Sequence, residues 1–561
     1  MDVTTLDLRA VFLFLKRTGV RFAIAFGLMS VGGSAAQAAF APLPQNVRKA
    51  IYFGWDTLGA TTEDVWRNRE KFAETGIDGI AMPVNGETPD GRSFLGRMVI
   101  GKRQWQRSDF AKVIPKIREM TKLKGLRESY AMVYWMSSPR LKWDDDAAWA
   151  RFAENMRVLC AVAKESGLKG CFIDHEDYTG KPLFKWRRDE DPSLDETLAL
   201  ARKRGAQVFR AMCEAYPEGR FIHDRGVMQL TPEIHSHDIT AAFRAAGDLW
   251  VAFMNGAVEA LPPGARFSDG CENAYGARTV TDYRALRYSC ALEAIELIDP
   301  PLRQKYLERL EVCFGKYLDP KCRKDAVVTP AQLAEELFGA GYLTDGVYWA
   351  YGEKYSIIDW GRKMHPKTSN ETWREKLPDF AQLLRVSVGD YSELRARAAA
   401  GQLANLVTNS GCDAQKGRVT PAPFREYVEG KQKDKARFEY DAEDGCARPG
   451  CLRLAGAGCY TFGRDGVIGP GDRVYVTLAA KGEHPSVNVV WRSKEFPARW
   501  NWNVGYQNLV SPCETLPNGW KRYEICMLAP SEKVDGIGFV IGGRASADAP
   551  LKFDDIAIYR W

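Results

Sequence analysis

Gly170-Cys171-Phe172-Ile173-Asp174-His175-Glu176-Asp177-Tyr178 is a short apolar run that ends abruptly in three carboxylates. A run of this length, apolar on both of its faces, reads as a strand buried in a parallel sheet. Seven further runs have the same character: Ala50–Trp55, Gly79–Val84, Tyr130–Trp135, Arg220–Asp224, Leu249–Met254, Ala265–Asp269 and Gly346–Tyr351. Helical patterns separate them. The stretches Thr62–Glu74 and Asp195–Tyr216 and a pair between Asp282 and Leu310 carry apolar residues at helical spacing. Eight strands alternating with helices over about 310 residues are what a (β/α)8 TIM barrel requires, so α/β with a barrel is the expected fold. An open doubly wound sheet is the alternative. It is disfavoured because no glycine-rich phosphate fingerprint follows the first strand.

The chain of 561 residues is longer than one hydrophobic core usually supports. Four segments are expected: a signal peptide over 1–38, a TIM-barrel catalytic domain over 39–371, a helical connector over 372–403 and an all-β jelly-roll sandwich over 404–561. The first segment has the parts of an export signal. Arg9, Lys16, Arg17 and Arg21 precede an apolar run from Phe22 to Val31, and Ala36-Gln37-Ala38 supplies the cleavage site. That run is about half the roughly 20 residues of a membrane span. A secreted or periplasmic protein with no membrane partner after cleavage is expected.

Formal charge is +6, of which four basic and two acidic residues in the first 38 positions contribute +2. A balance this close to neutral gives no electrostatic case for a nucleic-acid partner. Thirteen cysteines follow the signal segment, and Cys313 with Cys322 and Cys446 with Cys451 are close enough to close local disulfide loops. Cys160 and Cys213 read as buried thiols inside helices. No CxxC spacing occurs, so a structural zinc site is not expected, and no cofactor is expected either.

Chemistry in a barrel belongs at the C-terminal ends of the strands. The two-residue period of a strand sends Asp174 and Glu176 to the same side. Two carboxylates in one site can hold different protonation states, which is the requirement for general acid work beside an ionised partner. Glu272 and Glu353 stand at the ends of later strands, and a pair of opposed carboxylates is the machinery of glycoside hydrolysis. The expected catalytic residues are Glu176, Asp174 and Glu272. His223, Asp224, Trp349, Tyr351, Glu353, Trp55 and Trp135 are the expected substrate contacts, with Tyr134 sharing the aromatic reading. Metal ligation by His175, His223, Asp224, Asp174 and Glu176 is the rival chemistry. The first strand lacks the His-x-His pair that barrel metallohydrolases present there.

The ending Asp174-His175-Glu176, with Gly170 before it, resembles the D-x-E motif of the chitinase-like family eighteen glycoside hydrolases. Lys169 and Phe172 stand where that family's longer motif has acids. The placement of Glu176 and Glu272 is similar to the retaining barrel glycosidases of clan A, with His175 where that clan usually has Asn. The resemblance implies Glu176 as acid/base, Glu272 as nucleophile and Asp174 as an orienting group.

Beyond Gly401 the sequence turns to short β-like runs rich in glycine. Asn405–Asn409, Gly450–Leu454 and Phe553–Tyr559 resemble carbohydrate-binding modules of the family four and nine type. That implies a jelly roll, with Trp491, Trp500 and Trp502 as sugar-stacking candidates. The implied function is a secreted glycoside hydrolase acting on a poly- or oligosaccharide. A catalytically inactive barrel that binds glycan is the alternative.

Overall fold

The computed structural model describes residues 48–227, 232–319, 329–428, 436–493, 506–509, 512–530, 534–543 and 545–561. The chain divides into two compact units, Met1–Pro42 and Leu43–Trp561, and the first lies wholly outside the described residues, together with the expected signal segment.

The first half of the second unit is built on parallel strands. They are β1 (Lys49–Gly54), β2 (Gly79–Met82), β5 (Tyr130–Tyr134), β6 (Gly170–Asp174), β7 (Arg220–His223), β8 (Arg266–Asp269), β9 (Leu310–Val312), β10 (Gly315–Tyr317) and β11 (Val347–Gly352). A small hairpin, β3 (Asn85–Glu87) and β4 (Ser93–Leu95), follows β2. The parallel strands form one nine-stranded sheet in the order β10-β11-β1-β2-β5-β6-β7-β8-β9. In β1, β2 and β6 each interior residue is buried on both faces, as a helix-covered parallel sheet demands.

Alternation sorts the side chains into two layers. Ile51, Phe53, Ala81, Tyr130, Met132, Phe172, Ile222, Val347 and Trp349 form a core of their own on one face of the sheet. Their neighbours Ala50, Tyr52, Ile80, Ala131, Val133, Cys171, Ile173, Phe221 and Tyr348 pack outward against the helices. The first face is concave. The rings of Phe53 on β1 and Phe172 on β6 lie 5.0 Å apart, and Phe172 lies 5.1 Å from Trp349 on β11. Three strand steps separate β1 from β6, about 14 Å on a flat sheet, so the sheet must curl at least into a half-barrel.

Two sequence expectations are corrected here. Leu249–Met254 is not a strand: the helix Trp250–Ala260 occupies it, burying Trp250, Phe253, Met254, Ala257 and Val258 at helical spacing. A six-residue apolar window fits one and a half helical turns as well as a strand. The strands missed are β9 and β10, which lie beyond the end of the expected helix pair. Glycine and lysine within Leu310–Tyr317 blur their pattern. Only Cys313 and Phe314 separate β9 at one edge of the sheet from β10 at the other. The Cys313 N–H donates to the Asp269 carbonyl (2.7 Å), and the Trp349 N–H donates to the Phe314 carbonyl (2.9 Å).

After β11 come the helices Trp373–Lys376, Phe380–Ser387 and Ser392–Ala399. Two antiparallel sheets follow, using β12 (Arg425–Tyr427), β13 (Arg437–Asp441), β14 (Cys451–Ala455), β15 (Cys459–Asp465), β16 (Arg473–Lys481), β17 (Pro485–Arg492), β18 (Tyr506–Leu509), β19 (Glu514–Thr515), β20 (Lys521–Leu528), β21 (Gly536–Gly543) and β22 (Leu551–Arg560). The orders are β12-β15-β21-β17-β18 and β13-β14-β22-β16-β20-β19. Both sheets bury one face in a common core that includes Val476, Val489, Phe539 and Ile558. The other face of the six-stranded sheet meets the preceding helices, where Tyr475 and Cys526 join the larger core. There the Tyr342 hydroxyl donates to the Cys526 carbonyl (2.8 Å) and Arg395 pairs with Glu524 (2.8 Å). Among the described residues no helix is long and apolar enough to cross a membrane.

Candidate functional site

The strand ends deliver an acidic cluster. Phe172 and Ile222 point to the concave face, so Asp174 at the end of β6, Glu176 beyond it, and Asp224 beyond β7, continue on that face. Asp174 and Asp224 are nearly fully buried, whereas Glu176 reaches partial exposure at the rim. Backbone bonds fix the turns. The Glu176 N–H donates to Asp174 Oδ1 (3.0 Å), the Arg225 N–H donates to Asp224 Oδ1 (2.9 Å), and the Glu272 N–H donates to the Asp224 carbonyl (2.9 Å). The last bond ties the segment after β8 to the end of β7.

Arg225, which sequence reasoning passed over, holds the site together. Its Nε donates to Glu272 Oε2 at 2.6 Å, and its Nη2 pairs with Glu176 Oε1. The Tyr178 hydroxyl donates to the other Glu176 oxygen. Glu176 and Glu272, from different strands, therefore share one guanidinium. A basic residue directly after the Asp224 strand end was the available signal.

The charges do not balance. Asp174, Glu176, Asp224 and Glu272 face one arginine, and two carboxylates 4 Å apart repel by about 4 kcal/mol at an effective dielectric constant near 20. Burial, then Glu272, Asp224 and Asp174, push the Glu176 carboxyl up to about 9, against the pull of Arg225. Asp174 and Asp224 are also pushed well above the usual carboxylate range, chiefly by burial. The cluster therefore holds protons at neutral pH. His175 is the reverse case, because burial pushes it down to about 3 and keeps it neutral. Its ring stacks on Trp250 at 4.0 Å, and its Nδ1 lies 2.7 Å from Asp224 Oδ1 without pointing along a hydrogen bond.

Aromatic residues face the acids. The hydroxyls of Tyr134 and Tyr275 are pushed up by burial, with Asp174 and Glu272 the largest charge contributions respectively. Tyr275 stacks on Tyr351 at 5.7 Å, and Tyr317 closes the group at 5.2 Å from Tyr275. Tyr351 lies beside Glu353, its hydroxyl 3.4 Å from Oε1. Trp55 is half-buried against the His365 ring at 4.6 Å.

Other expected contacts lie elsewhere. His223 is fully buried on the helix side of β7, between Trp135 (5.0 Å) and Phe209 (5.8 Å), with neither ring nitrogen hydrogen-bonded. Trp135 is likewise fully buried in that outer layer, against Phe152 and Phe253. Parity alone carried the signal: with Met132 and Ile222 inside, residues 135 and 223 must face out. Trp349 is concave-face packing whose indole donates to the Gly270 carbonyl (2.7 Å). In the sandwich Trp491 is buried in the shared core, and Trp500 and Trp502 lie outside the described residues.

Ligand-type clusters occur in two places among the described residues. Oxygens of Asp174, Glu176 and Asp224 lie within 4.8 Å of one another, as do ligand atoms of Asp269, Cys271 and Cys290. The first set is all oxygen, which suits a hard cation such as Mg²⁺ or Ca²⁺. His223 cannot join it from the outer layer. Of the expected disulfide partners, Cys446 and Cys451 are free thiols and Cys313 is a buried free thiol, while Cys322 lies outside the described residues.

No protein family's sequence profile matches the chain, and no curated protein matches it. Among solved structures it is similar to the enzymatically active domain of tailspike protein 4 of bacteriophage CBA120, at 13% identity and a TM-score of 0.22, over 28% of this chain and 21% of that one. It is similar to a CBM4 structure at 15% identity and a TM-score of 0.21, over 28% of this chain and 99% of that one. A third similarity is to the CBM22-1–GH10 modules of Clostridium thermocellum xylanase 10B with xylohexaose, at 12% identity and a TM-score of 0.19, over 25% and 26% of the two chains. The chain thus spans about a fifth of the tailspike structure and a quarter of the xylanase structure.

Proposed function

We propose that the protein is an exported glycoside hydrolase in which Glu176 is the general acid/base and Glu272 the nucleophile. The observation that carries this reading is the sharing of Arg225 by those two carboxylates, with Glu176 held protonated to about pH 9. A protonated acid beside a second carboxylate is what cleavage of an acetal needs. Retention requires the two carboxyls about 5–5.5 Å apart and inversion about 6.5–9.5 Å, and one guanidinium between them favours retention. The negative charge of Asp174 and Asp224, crowded into the same site, adds to the burial that keeps Glu176 high. The aromatic group of Tyr134, Tyr275 and Tyr351 suits the faces of a pyranose ring.

The same reading takes the parallel sheet as a closed (β/α)8 barrel over residues 39–371. The two-residue link from β9 to β10, bonded to β8 on one side and β11 on the other, supports closure. The antiparallel sheets over 404–561 are taken as a jelly roll of the carbohydrate-binding type, with polysaccharide as partner. In the test, Glu272→Gly should lose hydrolysis of a glycoside, and azide should restore it with inverted anomeric product by NMR. Azide without effect, or inversion by the wild type, removes Glu272 from this role.

A second reading has one observation behind it. The three oxygens of Asp174, Glu176 and Asp224 could hold a divalent cation that offsets the excess negative charge. Activity abolished by a chelator and restored by Mg²⁺ or Ca²⁺ would favour it. Full activity after chelation would favour the proton-based reading.

A further inference from the structure

A cavity of about 560 Å³ lies between the loops that follow β5 and β6. That volume falls in the range of small-ligand pockets, roughly 300–1,000 Å³. Ser138 and Lys142 line one wall, and Thr179, Lys181, Asp189 and Glu190 line the other. The lining is hydroxyl and charge of both signs.

The walls are fastened to each other from below. The Arg140 side chain is nearly fully buried, pairs with Asp191 at 2.8 Å, and donates to the carbonyls of Pro182 (3.2 Å), Leu183 (3.2 Å) and Lys185 (2.9 Å). The second wall is also braced within itself. Asp177 Oδ1 accepts from the Thr179 N–H (2.9 Å) and Oδ2 accepts from the Leu183 N–H (3.1 Å). Lys181 is spent on Glu190 at 2.6 Å. The groove is therefore preformed, and its remaining charges, Lys142 and Asp189, cancel.

Tyr178 stands in the chain between Glu176 and the cavity lining that begins at Thr179. It is 72% exposed, an unusual state for a tyrosine, yet its hydroxyl is pinned to Glu176. Thr179, the next residue, lines the cavity. A tyrosine fixed at its tip and bare on its ring offers a flat apolar surface at low entropic cost. Behind it stand groups that bond hydroxyls.

We propose that the cavity is an additional saccharide-binding subsite, floored at its entrance by Tyr178, which takes the neutral sugar units of a chain extending past the bond at Glu176. The inference rests on the hydrolase reading for the position of the cleaved bond. The hydroxyl-rich, charge-balanced lining selects neutral units over uronates.

The test measures binding by calorimetry on the full chain, with cello-, xylo-, manno- and laminari-oligosaccharides of two to six units and oligogalacturonate as the anionic arm. Affinity for at least one neutral series should rise with length, and Tyr178→Ala should weaken the longest members roughly tenfold more than the two-unit member. The double variant Lys142→Ala/Asp189→Ala, confined to exposed side chains, should have the same length-dependent effect. Length-independent binding, unaltered binding by both variants, binding of oligogalacturonate alone, or no binding at all would overturn the subsite. Hydrolysis is scored separately on the same panel. Cleavage with length-independent binding sinks the subsite and spares the hydrolase, and length-dependent binding without cleavage does the reverse.

Discussion

Glu176 illustrates how much a single side chain's surroundings decide. In the unfolded chain its carboxyl titrates in the usual range near 4.5, and in the folded protein it holds its proton up to about 9. Between those values the folded state binds the extra proton, so this group's contribution to stability is full below the lower value and is lost as pH rises toward the upper. Thermal midpoints of the wild type should therefore fall between about pH 5 and 9 relative to Glu176→Gln, which has no proton to lose. On the hydrolase reading, activity follows the same group. The alkaline limb of kcat/KM should fall with an apparent pKa near 9, because the acid form is the working one. A profile flat to pH 10 would contradict this, as would equal midpoint curves for the two proteins. Arg225 adds the geometric half of the argument, since one planar fork reaches both carboxylates.

At the scale of the element, the parallel strands show what a sequence reveals and what it hides. The runs at 50–55, 79–84, 130–135, 170–174, 220–224, 265–269 and 346–351 overlap strands because burial on both faces leaves a continuous apolar signature. Trp250–Ala260 imitates that signature, since a helix buried over most of its surface is also continuously apolar. Leu310–Tyr317 escapes it because Lys316, fully buried against Glu336 at 2.6 Å, and Gly315 interrupt the run. The acidic cluster was visible in Asp174, Glu176 and Glu272. Arg225 showed only as a basic residue after the Asp224 strand end, because its role depends on two loops meeting in space. Gly315 tests the reading of β9 and β10. A Cβ there would lie 2.5 Å from Trp349 Cζ2, and the neighbouring backbone is already bonded to β11. Gly315→Ala should cost about 1–3 kcal/mol by overpacking, measured by denaturant unfolding. A neutral substitution would show that the link does not pack on the concave core.

On the scale of the whole molecule, the two β-sheets are more than an appendage. Tyr475 stands on the sandwich strand β16, yet its ring lies 5.8 Å from Tyr391, and Arg473 pairs with Asp379 at 2.7 Å. Glu524, almost wholly buried, relies on Arg395 and on the Tyr475 hydroxyl for partners. Ending the chain at residue 403 should therefore expose an apolar face and lower the unfolding midpoint of what remains. If residues 39–403 unfold cooperatively at the midpoint of the full chain, the contact contributes nothing to stability.

The central claim is that Glu176 donates a proton to a leaving sugar oxygen. It is tested most directly by comparing wild type with Glu176→Gln on two kinds of glycoside, natural oligosaccharides and dinitrophenyl glycosides of the same sugar. The leaving group of the second kind needs no proton. The account predicts a loss of about 10²–10⁴-fold on the oligosaccharide and a far smaller loss on the dinitrophenyl glycoside. Equal losses on both, or full activity of the variant on the oligosaccharide, would contradict it.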